Sequence, residues 1–398
     1  MIIFPIFKYL ISNIIIINSI FYRALIAFIL SICISLFANK KIILWNKRKK
    51  SIGERIRDLG LTGQKEKEGT PTMGGIIIIV SALIPTIFFS KLNNLYIIIL
   101  VITTLWLGIL GFIDDYIKIK YHKNGLSIMG KILGQIILGI FIGSFMSFNK
   151  NITIFNKKID PFSKQNPSLV VVRKEHNFKT TFPIFSPKNE FDYAYFFKKK
   201  WKKYTWILFI PIVIIIITFL SNGANLTDGI DGLTAGVSSI IFATLSLFSL
   251  VSSSKIYSYF FHFLYIPHIG EIAIFSFSFL GSLIGFLWYN TYPAQIFMGD
   301  SGSLTIGGVI AAISILIRKE LILPILCGIF FIENFSVIVQ VLYFRFSKRK
   351  YGIGKRIFMM APLHHHFQKL GYHESKIVYR FLIIQTILSM VVFILLIT

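Results

Sequence analysis

The chain carries only 17 Asp and Glu residues, and five aspartates fall in three polar clusters at the ends of apolar runs. These are Asp114 and Asp115 in "DDYIK", Asp228 and Asp231 in "NGANLTDGIDGL", and Asp300 in "NTYPAQIFMGDSGSL". Adjacent carboxylates repel each other and need a cation, a proton or water between them. Carboxylates at a membrane interface suit Mg²⁺, a hard ion held by one or two such groups together with substrate phosphates. Asp300 lies just before an expected helix start, where backbone N–H groups favour a phosphate. A helix cap needs one carboxylate, so capping accounts for Asp228 but not for the pair at 114 and 115. "DGIDG" is not a Ca²⁺ loop of the EF-hand kind, because Ser239 occupies the place of the bidentate glutamate. Lys118 stands where a prenyl-synthase DDxxD motif would place its last acid.

His364, His365 and His366 form a second kind of cluster, in "APLHHHF". Neighbours on a helix point about 100° apart, so the three cannot ligate one metal together. No Cys or acid is spaced to complete a zinc site. Imidazoles beside basic residues suit hydrogen bonding to phosphate oxygens, or simply form a polar interfacial patch. Lys67, ahead of the Gly-Thr-Pro-Thr turn at 69–72, and Lys118 can pair with phosphate as point charges. Each is equally at home in a basic juxtamembrane excess. Cys33 and Cys327 lie inside apolar runs and suggest no disulfide or metal site.

The elements that must position these clusters are apolar. The composition is 55% hydrophobic and the mean hydropathy is +0.71, values of a membrane protein. The net charge of +25 is spread between apolar runs, which favours anionic lipid or an anionic substrate over nucleic acid. About ten segments are long enough to span a bilayer: 18–38, 74–91, 95–113, 128–148, 205–221, 233–251, 272–290, 302–317, 321–343 and 377–397. Lipid requires them to be helices, so the fold class is all-α and polytopic. Pro71 marks the start of the second span and Ser301 caps the eighth. With ten spans, the loops near 39–73, 114–127, 222–232, 291–301 and 344–376 share a side. Basic runs such as "RFSKRKYGIGKR" make that side cytoplasmic and put both termini outside. All the polar clusters fall on it. Residues 1–398 read as one membrane domain. Residues 149–204 read as an external loop insertion without visible chemistry.

Taken together, "GTPTMGG", "DDYIK", "NLTDGIDGL", "NTYPAQIFMGDSGSL" and "APLHHHF" resemble the motifs of one family, in that family's order. It is the phospho-N-acetylmuramoyl-pentapeptide-transferase family, of the polyprenyl-phosphate N-acetylhexosamine-1-phosphate transferase superfamily. The resemblance implies a Mg²⁺-dependent enzyme of the bacterial inner membrane. Its substrates would be UDP-MurNAc-pentapeptide and undecaprenyl phosphate, and its products lipid I and UMP. It also leaves room for a homodimer. By resemblance, Asp300 is the metal ligand and Asp114 and Asp115 are the catalytic pair. Lys118, His364, His365 and His366 are catalytic or phosphate-contacting. Lys67, Thr70, Asn225, Asp228, Asp231, Asn290 and Phe297 are substrate-binding, with Phe297 stacking on uracil. Gln368 departs from the family's frequent glutamate after "HHHF". Two other readings stay open: a sister transferase using UDP-GlcNAc, and an ion-coupled transporter, whose acids should sit near mid-span.

Overall fold

A computed structural model describes residues 19–49, 67, 69–121, 125–155, 174–175, 177–182 and 190–397. The basic run at 50–66 and the insertion's residues 156–173 and 183–189 lie outside the described residues.

Among the described residues the ten apolar segments are mainly helical. In chain order the helices are α1 (Ile20–Lys49), α2 (Gly74–Phe89), α3 (Leu95–Tyr121), α4 (Ile128–Phe148), α5 (Trp206–Thr227), α6 (Leu233–Ser253) and the short α7 (Lys255–Phe260). They continue with α8 (Gly270–Asn290), α9 (Asp300–Leu316), the short α10 (Leu323–Leu326), α11 (Gly328–Tyr351), the short α12 (Leu363–Lys369) and α13 (Glu374–Ile397). Among the described residues, eight are long and apolar enough to cross a membrane: α1, α3, α4, α5, α6, α8, α11 and α13. The other two expected spans, α2 and α9, have 16 and 17 residues. That gives only about 24–26 Å at 1.5 Å per residue. For α9 the shortfall is harmless, because every residue from Ser301 to Leu316 is buried inside protein. It packs against α2, α3, α5 and α6 and forms the centre of the bundle.

Several boundaries differ from the sequence reading. Helix α3 runs on past residue 113, because Asp114 and Lys118 pair one turn apart at 2.8 Å and carry the polar end of the helix. The expected ninth span is broken at Cys327: a 3₁₀ turn (Glu320–Ile322) and α10, with Pro324 at its start, precede α11. Helix α2 keeps its expected start, three residues after Pro71. The helix begins at Gly74, after Met73 in the left-handed region at φ 71°.

Small residues hold the long helices together, as packing in lipid requires. Ser31 and Ser35 of α1 reach the carbonyls of Ser278 and Ser282 on α8 at 2.6 and 2.9 Å. At the end away from the polar clusters, Arg23 of α1 grips Glu271 of α8 at 2.7 and 3.0 Å, both buried.

The segment 149–204 contains two short antiparallel pairs, β1 (Ile154–Phe155) with β2 (Lys174–Glu175) and β3 (Lys179–Thr181) with β4 (Glu190–Asp192). The β3–β4 pair is anchored. Thr181 N donates to the Arg318 carbonyl at 3.0 Å, and the buried Lys319 donates to Thr181 Oγ1 at 2.9 Å. Tyr193 OH donates to Glu320 Oε1 at 3.2 Å, and Lys319 Nζ lies 3.5 Å over the Phe263 ring. Burial pushes the Lys319 ammonium well below its ordinary pKa. These charges sit just past the C-terminal end of α9, and the strand pair covers them. Removing a partner from a buried charged group costs about 1–3 kcal/mol or more. Replacing residues 155–197 with a Gly/Ser linker is therefore expected to lower the thermal unfolding midpoint in detergent by several degrees. Turnover per folded molecule should persist, since none of these contacts reaches the aspartates. An unchanged midpoint would show that Arg318 and Lys319 find other partners.

Candidate active site

The site forms around the N-terminal end of α9. Asp115, from α3, accepts from Asp300 N at 2.9 Å and from Ser301 N at 3.0 Å. It therefore caps α9 from another helix, a task the sequence reading gave to Ser301. Both its oxygens are engaged, so Asp115 holds the end of α9 where Asp300 begins. The preceding loop is fastened to the segment before α2. Phe297 N donates to the Pro71 carbonyl at 2.8 Å, Gly74 N to Phe297 O at 2.9 Å, and Gly75 N to Met298 O at 2.8 Å. A side chain on Gly75 would meet the backbone of Ser301 and Gly302. The glycine is what lets the two helix starts meet.

Asp114 is fully buried. Its Oδ1 accepts from Leu126 N at 2.6 Å. Its Oδ2 lies 2.8 Å from Lys118 Nζ and 3.0 Å from Lys131 Nζ, ion-pair distances without hydrogen-bond alignment. The same two ammonium groups reach Asp300, Lys118 at 3.1 Å and Lys131 at 2.5 Å. Two carboxylates and two ammonium groups thus alternate in a ring. The sequence reading missed Lys131. It sits one turn inside α4, among apolar residues, and its one signal is a charge placed within a span.

One oxygen from each of Asp114, Asp115 and Asp300 lies within 4.8 Å of the others. Three carboxylates face two ammonium groups, so the cluster keeps one formal negative charge and an all-oxygen donor set. Those are the properties that a hard divalent ion requires. Asp300, the least buried of the three, could hold it together with substrate phosphates.

The second flank joins α5, α8 and α9. Asn225 Nδ2 donates to Ser303 Oγ at 2.9 Å. Asp228 is half-buried at the end of α5. Asp231 Oδ2 accepts from Ala294 N at 3.0 Å, and its Oδ1 accepts from Lys67 Nζ at 2.8 Å. Asn290 Nδ2 donates to the Ile296 carbonyl at 2.9 Å, while its Oδ1 accepts from Gly232 N at 3.1 Å. Asn290 therefore ties two loops together, with its amide already engaged at both ends. Phe297 and Thr70 are half-buried on this side, and Phe297 keeps its ring free of the backbone bonds just described. Lys67 also bonds Glu374 Oε2 at 2.6 Å. Sequence reasoning missed Glu374, which looks like an ordinary acidic residue in the first turn of α13.

The three histidines separate, as 100° steps demand. His364 has no exposed surface. Its backbone N donates to Glu333 Oε1 at 3.2 Å, and its Nδ1 lies 3.3 Å from Glu333 Oε2. Its Nε2 points at Gly229 without a polar partner. The ring of His365 lies 4.1 Å from that of His364, centroid to centroid, and its Nδ1 is 2.6 Å from Gln368 Oε1. Burial, helped by His364 and Lys67, lowers the His365 imidazole to about 4. His366 turns the other way. Its Nδ1 accepts from Met359 N at 3.2 Å, and its ring packs on Phe358. Of the three, His366 is the one that faces the loop before α12.

This arrangement can clamp a diphosphate between ammonium groups at a helix N-terminus, beside a carboxylate set suited to a divalent ion. Known proteins share the sequence that builds it. The family described as glycosyl transferase family 4 matches residues 96–318. The phospho-N-acetylmuramoyl-pentapeptide-transferase signature 1 matches residues 67–79, from Lys67 through the turn into α2. Three curated relatives carry the name phospho-N-acetylmuramoyl-pentapeptide-transferase. That of Flavobacterium psychrophilum is 49% identical over 93% of this chain and 92% of its own. That of Amoebophilus asiaticus is 51% identical over 92% and 91%, and that of Parabacteroides distasonis 46% identical over 92% and 92%. With relatives this similar along nearly their whole length, and the signature lying on the loop that carries Lys67, the chain belongs to the phospho-N-acetylmuramoyl-pentapeptide-transferase family.

Proposed function

We propose that the protein transfers phospho-MurNAc-pentapeptide from UDP-MurNAc-pentapeptide to undecaprenyl phosphate. The products are lipid I and UMP, in the first membrane step of peptidoglycan synthesis in the bacterial inner membrane. The observation that supports it best is the ring of Asp114, Lys118, Asp300 and Lys131 at the start of α9, in a chain bearing this family's signature.

In this reaction an oxygen of the lipid phosphate attacks the sugar-linked phosphorus of the diphosphate. A new P–O bond forms, the bridging P–O bond breaks, and its electron pair leaves on UMP. Both reactants are anions, so approach is the obstacle. Lys118 and Lys131 supply two ammonium groups fixed in place by Asp114 and Asp300. Mg²⁺, held by Asp300, would supply further charge neutralisation at the diphosphate. Asp115 holds the end of α9 through the N–H groups of Asp300 and Ser301, so that Asp300 keeps its aim. Asp114 can take the remaining proton of the lipid phosphate. A phosphate monoester has its second pKa at about 6, so this proton is already mostly absent at neutral pH. Phe297 offers a ring face to the uracil.

A transporter fits less well, because the acids gather at helix ends and not at mid-span. The sister reaction with UDP-GlcNAc is separated by experiment. Sealed vesicles with the clusters outward should release UMP from added UDP-MurNAc-pentapeptide and undecaprenyl phosphate. They should release none above background from UDP-GlcNAc. Sealed vesicles of the opposite orientation should release none from either, if the clusters face the cytoplasm. Efficient use of UDP-GlcNAc would overturn the substrate assignment, and equal rates in both orientations would overturn the topology.

A further inference from the structure

Gln368 lies one helical turn beyond His365 on α12 and links it to charged groups on other elements. Its Nε2 donates to Glu374 Oε1 at 3.0 Å, and its Oε1 is 2.6 Å from His365 Nδ1. Glu374 Oε2 accepts from Lys67 Nζ at 2.6 Å, and Lys67 also donates to Asp231 Oδ1 at 2.8 Å. The polarity of this chain follows from its charged end. A carboxylate paired with an ammonium group only accepts, so the amide must turn its NH₂ towards Glu374. Its oxygen then faces His365. An amide oxygen only accepts, so the proton between the two lies on Nδ1. A neutral imidazole protonated at Nδ1 keeps its lone pair on Nε2. Flipping the amide would set an oxygen against the Glu374 carboxylate and forfeit that hydrogen bond, leaving lone pair against lone pair.

The other side of the ring faces the turn between α5 and α6. Gly229 has no side chain, and a Cβ there would lie 3.1 Å from His365 Nε2. The accepting nitrogen therefore lies beside the turn that carries Asp228 and Asp231, where the absent side chain makes room for the His364 ring as well.

We infer that Gln368 is a positioning residue that locks His365 in its Nδ1–H form, so that His365 meets the sugar nucleotide with an accepting Nε2. The inference rests on the proposed transfer reaction. It replaces the expectation that this histidine donates to phosphate. The substrate group it takes is a hydrogen-bond donor, a hydroxyl or an amide N–H. A phosphate oxygen would meet lone pair with lone pair.

The lock matters only while the ring is neutral. The charged or titratable groups on the elements around His365 are His364 on its own helix, Lys67 ahead of α2, and Asp228 and Asp231 in the turn. Glu333 on α11 and Glu374 on α13 also face this region, while His366 and Lys369 lie further along α12 and Lys376 and Arg380 along α13. Burial is the largest influence and His364 adds to it, holding the ring at about 4, so it is neutral at pH 7. A glutamate at 368 would act in the opposite direction. Its carboxylate against Nδ1–H would favour the imidazolium and would crowd Glu374 with a second negative charge.

The test uses the full-length chain with isotope-labelled histidine, its His365 signals assigned by comparison with His365→Asn. The ring carbon and nitrogen shifts should report the Nδ1–H form at pH 7, and an Nε2–H form would overturn the lock. Gln368→Glu should move the acid limb of the kcat/KM profile for UMP release upward by about one pH unit or more. An unmoved limb would also overturn it. Should that variant fold poorly, Gln368→Met removes the hydrogen bond at similar size. It should cut kcat/KM about 10-fold or more with no rise of the acid limb, and a wild-type rate would count against the lock. A wild-type chain releasing no UMP would instead refute the transfer reaction, while the spectrum, recorded without substrate, still tests Gln368.

Discussion

Asp300→Asn is expected to lower UMP release by about 10³-fold, some 4 kcal/mol of transition-state stabilisation. The asparagine keeps the shape of the side chain and removes its charge. Two ammonium groups, Lys118 and Lys131, now meet at Asp300 and at Asp114. With Asp300 neutral, both crowd the one carboxylate left in the ring, and a divalent ion loses an oxygen ligand and a full charge. Raising Mg²⁺ should restore little, because the competing lysines remain. The fold should survive, since Asp115 caps α9 through the backbone N–H groups of residues 300 and 301, which the substitution leaves in place. The measurement is UMP release across a Mg²⁺ titration, together with the unfolding midpoint. Near-normal turnover at ordinary Mg²⁺ would assign the metal to Asp114 and Asp115 instead.

The residues of this ring were unequally legible. Asp114, Asp115 and Asp300 stand out because a carboxylate is rare in so apolar a chain. Their separate duties do not stand out. Asp115 caps a helix whose sequence begins 185 residues later, and no local pattern announces a cap supplied from another helix. Lys131 is hidden for the opposite reason: its neighbours are apolar, so it reads as a stray charge near a span's end. Glu374 and Glu333 look like ordinary helix residues until Lys67 and His364 are brought to them. The ten helical segments were legible, because lipid leaves the backbone no alternative. Their lengths were not. A central helix such as α9 is set by the protein around it, and no bilayer thickness constrains its 17 residues. The insertion at 149–204 shows no acid or histidine cluster, and its sequence does not reveal that Thr181 covers a lysine 138 residues away.

Gly111 carries the other large expectation, and it touches no charge at all. It lies on α3, one turn before Asp114 and Asp115, where α3 crosses the start of α9. A Cβ at that position would stand 2.5 Å from Ser301 Cα and closer still to the Asp300 carbonyl oxygen. Both are backbone atoms and cannot rotate away. Carbon atoms pack at about 3.5–4.0 Å, so Gly111→Ala must push the two helices apart by about 1 Å. Asp114 and Asp115 ride on one helix and Asp300 on the other, so the displacement stretches both the cap and the ion-pair ring. Overpacking of this kind costs about 1–3 kcal/mol of stability. A misplacement of about 1 Å at reacting groups costs about 10²-fold in rate. Gly111→Ala is therefore expected to fold with a lowered unfolding midpoint and to release UMP about 100-fold more slowly, with every charged group still present. A wild-type rate at a wild-type midpoint would mean that α3 and α9 can separate without disturbing the chemistry. The ring would then be a consequence of the packing, and the phosphate clamp would have to lie elsewhere along the cleft.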